Sequence, residues 1–106
     1  MNISEIKIGG RRYRVEEWDQ ADANDRGRCG EIIFRTGTIR LHDGLSADNM
    51  AETLLHEILH GVFHDMSMDW SDDEEERMIG RLSPRLAALF ADNPEQVREL
   101  VRVLER

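Results

Sequence analysis

With a single cysteine, Cys29, among its 106 residues, the chain cannot close an intramolecular disulfide. Secreted domains of this size ordinarily rely on several such crosslinks, so a reducing compartment, the cytoplasm, is expected. No apolar run approaches the roughly 18 to 20 residues that cross a bilayer, and the stretch from Met1 to Val15 is charged and glycine-containing, unlike a signal peptide. A membrane or exported protein is therefore not expected. Positive charge is also in deficit: 14 Lys+Arg stand against 22 Asp+Glu, a net charge of −8. Such a balance repels phosphate backbones and anionic lipid surfaces, which argues against direct nucleic-acid binding. There is no internal repeat, low-complexity tract or long linker, and two cores would each be too small to fold, so residues 1–106 read as one domain.

Apolar residues still make up 40% of the chain, enough for one modest core. The first half has the period of strands. Ile6 and Ile8 alternate with Glu5 and Lys7, Gly9-Gly10 supplies a turn, and Tyr13 and Val15 alternate with charged neighbours, which together predict a hairpin. The Asp-, Asn-, Arg- and Gly-rich segment from Asp19 to Arg28 has no apolar period and reads as a solvated loop. Glu31 to Phe34 and Thr38 to His42, joined through Thr36-Gly37, add one or two further antiparallel strands.

The second half changes to a period near 3.6. Ser46 is a plausible N-cap for a helix carrying Ala51, Leu54, Leu55, Ile58, Leu59 and Val62. A second helix carries Met78, Ile79, Leu82, Leu86, Leu89 and Phe90, and Pro84 should kink or divide it. Asn93-Pro94-Glu95 has the chemistry of a further helix start, with a capping side chain and proline in the first turn, ahead of Val97, Leu100, Val101 and Leu104. The expected class is α+β, a small antiparallel sheet of three to four strands followed by three helices.

Within the first helical period lies His56-Glu57-Ile58-Leu59-His60, an H-E-x-x-H motif. Histidines at i and i+4 lie one above the other on a helix, so their ring nitrogens can converge on one Zn²⁺. Glu57 is rotated off that face yet close enough to act as general base toward a water at the metal. A catalytic zinc needs a third protein ligand. His64, eight residues past His56, sits roughly 12 Å further along the axis and is out of reach. The acidic run Asp72-Asp73-Glu74-Glu75-Glu76 is the better source. Glu75 falls in the middle of the apolar stripe of the second helix, where a carboxylate is costly unless paired or metal-bound, so it ranks first; Glu76, at the stripe's edge, is its rival. Asp72, Asp73 and Glu74 read as a solvated first turn.

The segments TLLHEILHGVF, EERMIGRLSPRL and DNPEQV resemble those of the small phage and prophage-type zincin metallopeptidases related to the ImmA/IrrE family. The resemblance implies a minimal zincin: a small sheet whose edge pairs with an extended protein or peptide substrate, zinc held by His56, His60 and Glu75, and water activated by Glu57. The strand Thr38 to His42 is the expected edge. An alternative is a zinc-binding but catalytically silent module that captures a partner protein, like an antirepressor.

Other residues read more plainly. Tyr13, His42 and His64 are the available oxyanion donors, none assigned; Tyr13 suits a core position. Cys29 lacks an identifiable base and reads as inert, Trp18, Trp70, Met66 and Met68 as loop-edge packing, and Arg11, Arg12 and Arg14 as a solvated strand face.

Overall fold

Alternation at the N-terminus becomes β1 (Glu5–Ile8) and β2 (Arg11–Trp18), an antiparallel pair whose register sets Ile8 opposite Arg11. Gly9 and Gly10 between them have φ of 59° and 82°. A two-residue turn with positive φ at both positions matches the right-handed strand twist, and only glycine adopts it without steric cost. This computed structural model describes residues 1–19 and 29–106. All but the first residue of the expected solvated loop, Asp19 to Arg28, lies outside them.

Two more strands follow, β3 (Gly30–Ile33) and β4 (Thr38–His42), and the sheet order is β1-β2-β4-β3. β4 pairs antiparallel with β3 but parallel with β2. The sheet is thus mixed, not the antiparallel sheet expected from the strand pattern. The reason lies in burial: Thr38, Ile39 and Leu41 are almost wholly inaccessible, and a strand that apolar is best covered with a neighbour on each side. Seating β4 centrally forces β3 to the outside. Hence Thr38–His42 is not a sheet edge, contrary to expectation; β1 and β3 are the outer strands.

Helix α1 (Ala47–Met66) crosses the sheet, touching β1, β3 and β4. Ser46 caps it as expected, its hydroxyl accepting from the Asn49 N–H at 3.3 Å. Met50 and Leu54 join Ile8, Tyr13, Ile39 and Leu41 in the core, while Ala51 turns outward. Gly61 is a point of close approach to the sheet. A Cβ there would stand 2.8 Å from Cδ1 of Ile8 and 3.4 Å from Cδ1 of Ile32, so glycine lets the histidine-bearing part of α1 lie down on β1 and β3.

Ser67, in the left-handed conformation, ends α1, and four residues later Ser71 caps α2 (Asp72–Asp92) by accepting from the Glu74 N–H. The acidic first turn suits the positive end of the helix dipole. Pro84 does not divide α2, which runs unbroken through it. Asn93 differs from expectation too: its side chain donates to the Leu89 carbonyl at 3.0 Å and closes the end of α2, with no side-chain cap on α3 (Pro94–Leu104). Among the described residues no helix is long and apolar enough to cross a membrane.

Candidate metal centre

α1 and α2 are neighbours joined by the short connection at residues 67–71, so the H-E-x-x-H turn meets the first turns of α2. Two carboxylates and two imidazoles interlock there. Nε2 of His56 lies 3.0 Å from Oε1 of Glu76, and Nε2 of His60 lies 2.7 Å from Oε2 of the same carboxylate. Nδ1 of His60 meets Oε2 of Glu75 at 2.6 Å, and Nδ1 of His56 faces Oγ of Ser83 at 3.5 Å. Each ring thus turns Nε2 toward Glu76 and rests its other nitrogen on a group from α2.

One ligand atom each from His56, His60 and Glu76 falls within a 4.8 Å cluster. Tetrahedral donors at 2.0 to 2.1 Å from Zn²⁺ are roughly 3.3 Å apart, comparable with the 3.0 and 2.7 Å that separate the two Nε2 atoms from the two oxygens of Glu76. Two neutral-capable imidazoles and one carboxylate match in type the donors that zinc takes. Residues facing Nδ1 complete the fit, because metal-binding histidines usually donate their second N–H to a carboxylate or comparable acceptor, which fixes tautomer and ring orientation.

The group that could hold a metal thus includes Glu76, the rival, where the sequence ranks Glu75 first. Glu75 does point inward, its side chain 24% exposed against 60% for Glu76. Burial against the apolar stripe takes it to the back of His60, while the outward residue spans both Nε2 atoms. Ser83 is the residue the sequence reading missed. It is 2% exposed, and the available signal was its position seven residues, two helical turns, beyond Glu76 on one face.

Charge gathers tightly around His60. Burial acts against its imidazolium form, but the Glu75 hydrogen bond, the charges of Glu57 and Glu76 and the Glu76 hydrogen bond outweigh that, raising its pKa above 6.5. A carboxylate at each ring nitrogen offers both N–H groups of the imidazolium an acceptor, which favours that form. A metal ion at this position would replace the proton on Nε2 and leave Nδ1–H on Glu75.

Glu57 is 6% exposed and lines the same groove, a depression of about 950 Å³. β3, from Gly30 to Ile32, forms one wall, α1 with Thr53, His56 and His60 the floor, and the start of α2 the other wall. Cys29 sits exposed at its end. Tyr13, His42 and His64 do not line it. Tyr13 is buried beneath the Arg11 guanidinium, Nδ1 of His42 accepts from the Gly44 N–H at 2.8 Å, and the exposed His64 stacks on Phe34. Trp18 is a core residue, Trp70 packs edge-on against Phe63, and Arg11, Arg12 and Arg14 are solvent-facing. Comparison with protein-family models, curated proteins and solved structures finds no match to this chain.

Proposed function

We propose that the protein is a zinc-dependent metallopeptidase, a minimal zincin of the kind that small phage-type members related to the ImmA/IrrE family represent, acting on a protein or peptide in the cytoplasm. The observation that carries this reading is the convergence of both Nε2 atoms on Glu76, with Glu75 and Ser83 behind the rings and Glu57 in the same groove. His56, His60 and Glu76 are the residues that would hold the ion, and Glu75 would orient His60. Zinc so held supplies Lewis-acid stabilisation to a carbonyl oxygen under attack.

The chain's own residues account for the remaining work. As an outer strand, β3 has backbone groups on one side with no strand partner among the described residues, and an extended peptide can add to such an edge. That addition lays the substrate along the groove, across the H-E-x-x-H turn. Glu57, walled in by α1 and the sheet, takes the proton of the attacking water as the C–O bond forms, then delivers it to the amine as the C–N bond breaks.

Elemental analysis of natively purified protein, followed by peptide-library cleavage, tests the proposal. One equivalent of zinc and metal-dependent cleavage are expected, and Glu57→Gln should keep the zinc while losing about 10²- to 10⁴-fold in turnover. Zinc without cleavage of any peptide would replace the enzyme with a silent binding module; absence of zinc would remove both.

A further inference from the structure

Among the described residues α3 packs sparsely, touching α2 and half-burying only Val97. None of its residues is buried, and Leu100, Val101 and Leu104 are 64, 55 and 72% exposed. An 11-residue helix is marginal in water without tertiary packing. At about 100° per residue, Val97, Leu100, Val101 and Leu104 occupy a single arc of roughly 100°. Glu95, Glu99 and Arg102 lie on the far face, where Arg102 already pairs with Glu99 at 2.6 and 2.8 Å. The flanks of the stripe differ from each other: Arg98 and Glu105, two turns apart, edge one side, and the uncharged Gln96 and Val103 edge the other.

We propose that α3 pairs with α3 of a second copy of this chain, antiparallel about a two-fold axis between Leu100 and Val101. That axis sets Val97 against Leu104 of the second copy and Leu100 against its Val101, so the stripe is complementary to itself. It also brings the Arg98–Glu105 flank against its own copy, reversed, placing Arg98 within a turn of the opposite Glu105 at both ends. A parallel pair would set that flank against Gln96 and Val103 and form no ion pair. Among the described residues of the monomer, neither Arg98 nor Glu105 has an ion-pair partner.

Charge and area agree with a second copy as occupant. The three acids and three arginines from Glu95 to Arg106 cancel, so the net charge of −8 belongs to the rest of the chain and two α3 helices meet without net repulsion. An anionic membrane would repel the body and find no cationic face on the helix. Leu89 and Phe90, 53 and 42% exposed, close α2 just before α3 begins. Counted with the α3 stripe, these side chains expose roughly 500 to 600 Å² per copy, so a pairing that covered all of them would remove on the order of 1,000 to 1,200 Å², at the lower bound for a stable interface.

Sedimentation velocity of the full chain from 5 to 200 µM reads the result, with circular dichroism to confirm that each variant is folded. Wild type should move from monomer to dimer across this range, and Leu100→Glu should weaken the dimer by a hundredfold or more. Arg98→Glu and Glu105→Arg should each weaken it roughly three- to tenfold, and the doubly reversed variant should recover wild-type association. A wild type monomeric at 200 µM, an unchanged Leu100→Glu dimer, or a double variant no better than the single ones would each overturn the proposal. So would flotation of wild type with phosphatidylglycerol vesicles that Leu100→Glu abolishes, since a lipid surface would then be the occupant.

Discussion

Neutralising each of the two adjacent glutamates in turn separates their roles. Glu76 spans both Nε2 atoms at 3.0 and 2.7 Å, whereas Glu75 reaches only Nδ1 of His60. Glu75→Gln keeps an oxygen able to accept from Nδ1–H but removes a charge that favours the bound cation. Losses of a group behind a ligand run about 10- to 100-fold in metal affinity, or roughly 1.4 to 2.7 kcal/mol. Glu76→Gln removes an anionic ligand itself and should exceed that range, beyond about 100-fold. Both substitutions also change the pairing of the histidines in metal-free protein, so stability is measured beside affinity. Zinc affinity would be read by competition with a chromophoric chelator at pH 7.5, with denaturation midpoints of the metal-free variants recorded in parallel. A larger loss in Glu75→Gln than in Glu76→Gln, at equal stability, would refute the assignment and restore Glu75 as the third ligand.

Ser83→Ala should have a smaller effect on zinc affinity, about twofold, because its contact with His56 is at the 3.5 Å limit of hydrogen bonding and such a bond contributes about 0.5 kcal/mol; the same chelator competition measures it. In metal-free protein the His60 ring resonances should titrate with a midpoint above 6.5, and zinc should abolish that titration. Because this pKa is raised on folding, the stability His60 contributes is complete below the unfolded value near 6.5 and is lost as pH rises through the folded value; denaturation of His60→Gln against wild type across that window should show the difference shrinking upward. Gly61→Val should destabilise the fold by about 1 to 3 kcal/mol in urea denaturation, since its side chain would press on Ile8 and Ile32.

The elements were legible where one physical signal dominated. Ile6, Ile8, Tyr13 and Val15 announce a hairpin because Gly9-Gly10 interrupts their alternation with the one turn that closes it tightly. Leu54, Leu59 and their neighbours announce α1 because a buried helical face needs that spacing. The parallel β2–β4 pairing was not legible, since alternation records which face of a strand is buried but not which strand lies beside it. Pro84 and Asn93 show the same limit. Local chemistry says what each disfavours or caps, while the packing around Ile79 and Ser83 holds α2 together through the proline, and the Leu89 carbonyl competes for the asparagine amide. At the candidate site, motif and spacing pointed to the two helices that meet there. They do not tell which of Glu75 and Glu76 meets the two Nε2 atoms, because an inward-pointing acid can pack behind a ring, and only the relative height of the two helices decides that.

The short connection at residues 67–71 has a further consequence. Every side chain that would grip or brace an ion, from His56 to Ser83, comes from one helical hairpin, whereas the wall along which a substrate would lie comes from β3. On the proposed reading, chelation and selectivity would be written in separate stretches of the chain. So long as Ile32 keeps the contact beneath Gly61, the rest of β3 could diverge, or be exchanged by an engineer, without altering the residues that would hold the metal.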